Sequence, residues 1–316
     1  MDIDAAHDDC RAVLDAVSES VIADRTFLET VLTGVVARGH VLLEDVPGTG
    51  KTLTARSFAT ALGLSFSRVQ FTPDLLPADV TGSYVFDERD RTFEFREGPV
   101  FANVVLADEI NRAPPKTQAA LLEAMEEEQV TVDGETHELP SPFFVIATQN
   151  PVEQEGTFAL PEAQLDRFAL QTAVGYPADE DEEVELLRRR AGRVERAPSV
   201  ERVLSPDRVE TLRAAAEEVR VEADVLRYVA AVARATREDR RVDVGVSPRG
   251  TQRLFEVARA RAVVEGRDFV TPDDVKRVAS AALAHRLVLT PDAAVENVDE
   301  KDVIAETLDA VPVPTL

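Results

Sequence analysis

The sequence predicts an α/β protein whose first domain is built on a central parallel sheet and whose second domain is a small all-α lid. Strand, loop and helix signals alternate from His40 to about Pro177, the order that brings parallel strands into one sheet. Helix signals dominate after about Leu204, and no strand signal of comparable strength follows Tyr176. These patterns divide the chain into an α/β part and a helical part.

Hydrophobic patterning marks the elements of the α/β part. Apolar residues recur near helical spacing across Ala5–Val36, which predicts amphipathic helices before the sheet. Consecutive apolar residues predict buried central strands at Val41–Leu43, Val104–Ala107 and Phe143–Ala147. The first domain is therefore expected to be organised around these three strands.

Hydroxyl–proline pairs mark the helix starts of the second part. Ser205-Pro206, Ser247-Pro248 and Thr271-Pro272 each place a capping hydroxyl before a proline at the first helical position. A charged stretch, Ala178–Arg196, leads into this part. The predicted organisation is an N-terminal helical segment at 1–36, the α/β core at 37–177, a linker at 178–204, the α-helical lid at 205–295 and a C-terminal tail at 296–316.

Composition limits the class of protein. The chain has 316 residues, which suits about two domains, and 44% of them are hydrophobic, enough for a buried core. The only cysteine is Cys10, so no intrachain disulfide can form, which fits a reducing compartment. The first residues lack the pattern of a signal peptide, and no apolar stretch is long enough to span a bilayer. A soluble cytoplasmic protein is expected.

The charge balance is strongly acidic. Acidic residues outnumber basic ones 59 to 35, for a net charge of −24. Abundant acid with arginine in place of lysine is similar to the composition of proteins from salt-accumulating halophiles. At molar salt the Debye length is roughly 3 Å, so this charge describes the solvent better than the partner. Nucleic acid is nevertheless not the expected partner.

The strongest chemical motif follows the first buried strand. Val41–Leu43 runs into a glycine-containing loop and then a helix, the context in which such loops bind phosphate. Gly48 and Gly50 allow backbone N–H groups to turn inward around a β-phosphate. The Lys51 ammonium is expected at the β- and γ-phosphates, and the Thr52 hydroxyl at Mg²⁺. The predicted ATP-contacting residues of this loop are Pro47, Gly48, Thr49, Gly50, Lys51, Thr52 and Leu53.

Two acids end the second buried strand. Asp108 and Glu109 follow Val104–Ala107, at the carboxyl edge where ligands of open α/β sheets bind. Asp108 is expected to hold Mg²⁺, and Glu109 to accept a proton from an attacking water or to orient it. Together with the Lys51 loop, the pair predicts nucleotide hydrolysis.

Three further residues are candidates for contact with the γ-phosphate. Asn150 stands before Pro151 at the tip of the third strand, where a short amide can hydrogen-bond the attacking water; the alternative is a simple Asn-Pro turn. Arg167 lies in Leu160–Phe168, interpreted as a short helix, and Arg249 lies in the first turn of the helix after Ser247. For either arginine the alternative is a surface ion pair.

Together these elements resemble the MoxR family of AAA+ ATPases. The resemblance runs from about Ser20 to Leu289, most of the chain. It is carried by Asp108–Glu127 (DEINRAPPKTQAALLEAMEE), Ala147–Pro151 (ATQNP), Leu160–Phe168 (LPEAQLDRF) and Ser247–Arg249 (SPR).

The resemblance implies a homo-oligomeric ring, a hexamer, with ATP bound between neighbouring subunits. It implies that Asn150 is sensor 1 and Arg249 is sensor 2, the latter acting either within a subunit or across the boundary. It further implies that Arg167 is the arginine finger of the next subunit's site. Val21 and Ile22 match the residues that contact adenine.

The chain departs from the family pattern in two places. The family usually shows Val-Gly-Gln where this chain has Ile22-Ala23-Asp24. Asp45 stands at the first glycine of the usual loop, a glycine that MoxR-type loops often lack, and its charge is expected to point away from the phosphates.

Two predicted hairpins match insertions of the helix-2-insert clade of AAA+ proteins. Apolar residues flank a charged centre across Phe86–Phe95, and Gln129–Leu139 brackets Asp133-Gly134, a good type I′ turn. In related machines these hairpins face the pore or the client. An ordinary surface hairpin is the alternative for each.

The function that these features predict is Mg²⁺-dependent hydrolysis of ATP to ADP and phosphate. The resemblance implies that hydrolysis drives chaperone-like remodelling or maturation of a protein client, with a von Willebrand A-domain protein as the hypothetical partner. Two alternatives stay open: a nucleotide-dependent switch or scaffold with little turnover, and a nucleic-acid motor of the helicase type. A magnesium-chelatase-like motor subunit is a closer cousin, although no sequence feature identifies a tetrapyrrole substrate.

Overall fold

A computed structural model describes residues 2–151, 157–192 and 199–314. The helices are α1 (Ile3–Ser18), α2 (Arg25–Val36), α3 (Lys51–Ala61), α4 (Pro77–Thr81), α5 (Pro115–Glu127), α6 (Glu162–Leu165), α7 (Glu180–Ala191), α8 (Pro206–Glu218), α9 (Ala223–Glu238), α10 (Pro248–Val264), α11 (Pro272–Leu283), α12 (Pro291–Val295) and α13 (Glu300–Ala310). The strands are β1 (His40–Glu44), β2 (Phe66–Gln70), β3 (Gly82–Asp87), β4 (Thr92–Glu97), β5 (Val104–Asp108), β6 (Gln129–Val132), β7 (Glu135–Glu138), β8 (Phe144–Gln149), β9 (Phe168–Thr172), β10 (Val242–Val244) and β11 (Val288–Leu289). Short 3₁₀ turns cover Ile110–Arg112 and Ala284–Arg286.

A five-stranded sheet in the order β2-β5-β8-β1-β9 forms the centre of the α/β part. Each neighbouring pair is parallel, so the predicted parallel sheet is confirmed. The three apolar runs form β1, β5 and β8, which lie side by side. Because all five strands run the same way, their carboxyl ends meet at one edge.

Apolar cores cover both faces of this sheet. Side chains alternate across β1: Val41 and Leu43 join one buried cluster, and Leu42 joins the other. The first cluster runs without interruption from α1 and α2 through α3 into the lid helices α8 to α11. The second cluster packs side chains of α5, such as Leu121 and Leu122, against the sheet residues Leu42 and Val105. The N-terminal helices therefore lie between the sheet and the lid and share one core with both.

Both predicted hairpins are present. β3 and β4 pair antiparallel, with Phe86 opposite Phe93, and both rings are largely exposed. β6 and β7 pair antiparallel around Asp133 and Gly134, which both have positive φ (52° and 87°), as a type I′ turn requires. The two hairpins contact each other through stacked rings of Phe95 and His137, whose centroids are 3.8 Å apart.

The C-terminal half differs from the prediction in three details. The lid, expected to be all-α, contains a two-stranded antiparallel ladder of β10 and β11, strands too short to give a periodic signal. The predicted linker at 178–204 contains α7, which Asp179 caps and whose acidic first turn and arginine-rich last turn complement the helix dipole. The predicted tail at 296–316 contains α13, which buries Val303 and Ile304. Residues 1, 152–156, 193–198 and 315–316 of the predicted segments lie outside the described residues.

Within the part of the chain that the structure describes, no helix combines the length and apolar character needed to cross a membrane.

Two histidines, His40 buried and His285 half-buried, connect elements of the fold as neutral imidazoles. His40 Nδ1 accepts from the Val145 N–H (3.0 Å) and its Nε2 lies 2.9 Å from the Met125 carbonyl, so β1 is tied to β8 and α5. His285 Nε2 lies 3.1 Å from the Phe168 carbonyl of β9. Burial lowers the pKa of each imidazole from 6.5 to about 4, because the charged form would lose its hydration.

Acidification is therefore expected to destabilise the fold. Each folded-state pKa lies below its unfolded value, so the unfolded chain binds more protons between pH 6.5 and about 4. This stabilisation is complete above pH 6.5 and is lost as the pH falls, by about 3 kcal/mol per histidine on reaching pH 4. Denaturant unfolding at several pH values measures it. The non-titrating variant His40→Gln should show a shallower pH dependence; identical slopes would contradict the assignment.

Candidate active site

A cavity of about 400 Å³ lies at the carboxyl edge of the sheet, where β5, β8 and β1 end beside one another. It gathers the residues predicted from three separate motifs: the loop after β1, the acidic pair at the end of β5 and the amide after β8. Among the described residues its lining is Pro47, Gly48, Gly50, Lys51, Thr52, Leu53, Asp108, Glu109, Thr148 and Asn150.

The loop after β1 owes its shape to two glycines. Gly48 and Gly50 have φ of 91° and 92°, the left-handed region in which an added Cβ is strained. Gly50 caps α3, so the helix begins at Lys51 and presents its unpaired N–H groups at the cavity. Lys51 Nζ donates to the carbonyls of Asp45 and Val46, both at 2.7 Å. Burial lowers the pKa of this ammonium, and the nearby carboxylates oppose the shift.

Asp45 faces away from the cavity, as expected. Its carboxylate accepts hydrogen bonds from the N–H of Val46 (2.8 Å) and from the N–H of Gly175 (2.9 Å), which follows β9. Asp45 is itself buried and is not one of the residues with positive φ, so it needs no left-handed backbone. Asp45, which stands where the family pattern has glycine, therefore fixes the loop to the chain after β9. Its carboxylate does not enter the cavity in which phosphate is expected.

Thr148 joins the acidic pair, and sequence analysis missed it. Its buried hydroxyl donates to Asp108 Oδ1 (2.7 Å) and accepts from the Glu109 N–H (2.8 Å). Glu109 has φ of 56° and ψ of 52°, an uncommon conformation for a residue other than glycine, and this bond supports it. The sequence did contain a signal for it. Thr148 stands within Ala147–Pro151 near the end of β8, the strand that pairs with β5.

Three basic or amide side chains hold the outer oxygens of the same pair. Arg68 donates to Asp108 Oδ2 from Nε (3.0 Å) and Nη2 (2.7 Å). Gln70 Nε2 and Arg112 Nη1 donate to Glu109 Oε2 at 2.8 and 3.0 Å. Sequence analysis also missed these three; register could have found Gln70, which pairs with Asp108 across β2 and β5.

Asn150 and the adenine candidates differ in placement. Asn150 is buried directly after β8 and lines the cavity; its role as sensor 1 stays a prediction. Thr49 is in the loop and its hydroxyl donates to the Val46 carbonyl (3.3 Å). Val21 lies in the apolar core between α1 and α2, and neither Val21 nor Ile22 lines the cavity, so their contact with adenine stays a prediction.

The two predicted arginines lie away from the cavity and share one carboxylate. Arg167 follows α6 and precedes β9, outside the short helix expected for it, because that helix ends at Leu165. Its Nη1 donates to the Leu122 carbonyl (2.5 Å) and its Nη2 pairs with Glu126 Oε2 (3.1 Å). Arg249 Nη1 donates to Glu126 Oε1 (2.9 Å). Neither guanidinium lines the cavity that holds Lys51.

The donor set of the cavity suits Mg²⁺. The Thr52 hydroxyl and the Asp108 carboxylate line the same cavity, and both are hard oxygen ligands of the kind that Mg²⁺ prefers. The N–H groups at the start of α3 and Lys51, which line the same cavity, suit phosphate oxygens. The residues present therefore fit a magnesium–nucleotide complex.

Comparison with known proteins identifies the family. The ATPase family associated with various cellular activities (AAA) matches residues 40–170, and the AAA lid domain matches residues 234–307. Chaperone MoxR1 of Mycobacterium tuberculosis is 41% identical over 313 residues, which cover 96% of this chain and 82% of that protein. The chain belongs to the MoxR family of AAA+ ATPases.

The MoxR-family likeness spans both domains. YeaC of Bacillus subtilis is 44% identical over 302 residues, covering 95% of this chain and 93% of that protein. The crystal structure of a candidate ATPase from Cytophaga hutchinsonii superposes with a TM-score of 0.91 at 38% identity, covering 98% of this chain and 96% of that one. The fold of a MoxR-family core followed by a lid is thus shared along nearly the whole chain.

Removing the Thr148 hydroxyl is expected to destabilise the site. In Thr148→Val the Glu109 N–H and Asp108 Oδ1 each lose a buried partner, which should lower the free energy of unfolding by about 1–3 kcal/mol. Thr148→Ser keeps the hydroxyl and is the matched control. Denaturant unfolding of both variants measures the difference, and a Val variant as stable as the Ser variant would contradict this role.

Proposed function

We propose that this chain hydrolyses ATP to ADP and phosphate and uses the energy to remodel a protein client. The observation that carries the proposal is the meeting of Lys51, Asp108, Glu109 and Asn150 in one cavity, from the ends of three neighbouring strands. A phosphate-binding cation, a metal-binding acid, a candidate base and a polar amide are the parts that hydrolysis of a phosphoanhydride requires.

Binding of the phosphates begins with an exchange at Lys51. Two donors of the ammonium are engaged by the carbonyls of Asp45 and Val46. Phosphate oxygens carry more charge than carbonyls, so they are stronger acceptors for the same N–H groups. The N–H groups at the start of α3, held by Gly48 and Gly50, add further donors.

Thr52 and Asp108 would hold Mg²⁺ beside the phosphates. When bound, Mg²⁺ neutralises charge that develops on the phosphate oxygens. Arg68 contacts Asp108 Oδ2 and balances the charge of this buried carboxylate. Thr148 keeps Oδ1 in a fixed orientation.

Glu109 is the candidate base for the attacking water. The hydrogen bond from its backbone N–H to Thr148 supports the left-handed backbone at Glu109, and Glu109 lines the same cavity as Asn150. Gln70 and Arg112 engage Oε2, so this oxygen must leave at least one donor before it can accept a proton. Asn150 supplies a short amide with which the same water can be oriented.

Arg167 and Arg249 support an oligomeric ring. Both guanidiniums lie together on Glu126 and outside their own subunit's cavity. Arginine is always charged and offers forked donors, so the pair suits a phosphate brought by a neighbouring subunit. We therefore propose a hexameric ring in which both arginines act across the boundary between subunits.

The client is proposed to be a protein, by analogy with Chaperone MoxR1 of Mycobacterium tuberculosis. A von Willebrand A-domain protein is the specific candidate. Affinity purification of the Glu109→Gln variant with ATP at high salt tests it. Recovery of an A-domain protein supports the candidate, and consistent recovery of a different client rejects it.

One observation favours the second candidate function, a nucleotide-dependent switch with little turnover. The Glu109 carboxylate is held by two donors, which reduces the charge available to a water. The switch would bind ATP tightly and turn over slowly even in a complete ring. A nucleic-acid motor has less support, because the hairpin tip at Asp133–Glu135 is acidic.

Lys51→Ala and Glu109→Gln form a matched pair that separates binding from hydrolysis. Lys51→Ala should weaken ATP binding at least about a hundredfold, since it removes charge-assisted hydrogen bonds of about 1.5–3 kcal/mol each. Glu109→Gln should keep the affinity and lower turnover by about 10²–10⁴. Calorimetric titration and phosphate release measure the two effects. Unchanged ATP affinity in Lys51→Ala, or undiminished turnover in Glu109→Gln, would refute the respective role.

Arg167→Ala should spare ATP binding and lower turnover about 10³-fold or more, because the finger would be lost from the neighbouring site. Mixing this variant with Glu109→Gln should restore part of the activity, since mixed rings contain sites with an intact base and an intact finger. Absence of rescue on mixing would show that Arg167 does not act in trans.

The ATPase activity per milligram of the parent protein in molar KCl should rise with protein concentration, because the proposed site is completed only between subunits.

A further inference from the structure

Arg286 of the lid holds the backbone on both sides of Arg167. Its side chain is only 2% exposed. Nη1 donates to the carbonyl of Asp166 (3.0 Å) and pairs with the Asp166 carboxylate, and Nη2 donates to the carbonyl of Phe168 (2.6 Å). Nε donates to Ala282 at the end of α11 (2.8 Å), which fixes the guanidinium to the lid. The residue between the two contacts is Arg167.

The start of α10 closes around the same ion pair. The Ser247 hydroxyl, which caps α10, lies 3.4 Å from Asp166 Oδ2. Gly250, in the first turn of α10, leaves room for Arg286, because an added Cβ there would lie 3.0 Å from Arg286 Cδ and 2.9 Å from Val246 Cγ1. Asp166, which is half-buried, is therefore contacted by lid residues from two elements.

These lid contacts hold the backbone on either side of Arg167, whereas the Arg167 side chain itself contacts Leu122 and Glu126 of α5. α6 has only four residues, and β9 begins at Phe168, so Arg167 lies in the joint between them. A buried arginine that is bonded to both flanking carbonyls fixes the direction in which that joint projects its side chain. Planar, forked donors can do this, whereas a single ammonium cannot satisfy the carboxylate and both carbonyls with the same geometry.

We propose that Arg286, together with Asp166, is the positioning residue for Arg167: the lid of each subunit sets the arginine that reaches into the next subunit's site. The inference rests on the proposed trans role of Arg167. Arg286 does not line the cavity of its own subunit, so its loss should leave ATP affinity unchanged. Movement of the lid would be transmitted directly to the neighbour's active site through this pair.

The test uses the full-length variants Arg286→Lys and Asp166→Asn, which conserve charge or shape. Each should keep the ATP affinity of the parent and lower kcat roughly 10- to 100-fold with little change in KM, because misplacement of a catalytic group by about 1 Å can cost that much. Mixing either variant with Glu109→Gln should restore activity, as for Arg167→Ala. Mixing either with Arg167→Ala should restore none, since both lack a placed finger.

Arg213→Lys is the matched control. Arg213 is also a buried lid arginine, 1% exposed, that donates to two backbone carbonyls, of Val35 and Phe143, but it does not touch residues 166–168. It should lose thermal stability and keep its turnover per folded subunit. Parent-like turnover in Arg286→Lys would overturn the inference, as would failure of its rescue in mixtures where Arg167→Ala is rescued. If Arg167→Ala itself is not rescued, the trans role fails and the positioning role fails with it.

Discussion

β8 pairs with β5 on one side and with β1 on the other, and this parallel pairing is the constraint on which the candidate site depends. Parallel strands end at the same edge, so the loop that carries Lys51, the acids that end β5 and the amide after β8 must converge. The strands hold this order because their apolar side chains are buried on both faces. The edge's chemistry thus depends on packing in the interior, which brings together segments that lie far apart along the chain.

The sequence was sufficient for most of this arrangement because its signals are local. An apolar run, two glycines and a lysine define a strand, a loop and a helix without reference to distant residues. The same holds for the hairpin around Asp133-Gly134, whose turn needs positive φ at two successive residues. The family resemblance then supplied roles for Asn150, Arg167 and Arg249 that their local sequence could not, since a turn or an ion pair explained each equally well.

The features that sequence analysis missed depend on contacts between distant segments. Arg68 and Gln70 reach the acidic pair only because β2 lies beside β5. Glu126 forms ion pairs with both candidate arginines, although it lies 123 positions before Arg249 in the sequence. Charge composition hid α7, whose sequence was interpreted as linker, and α13 lacks the length and regular spacing that mark the longer helices. For Arg68, Gln70 and Glu126 the deciding interaction is tertiary, and no window of local sequence contains it, whereas the Asp179 cap and the charged ends of α7 are local signals.

The uninterrupted apolar core shared by the sheet, the N-terminal helices and the lid limits how the lid can move. A wide hinge opening would pull α8 and α10 off α1 and α2 and expose buried surface, at about 2.5 kcal/mol for each 100 Å² of apolar area. Sliding of packed helices over short distances keeps that area covered. The lid of this subunit is therefore built for shear, and any mechanical stroke that it delivers will be short and stiff.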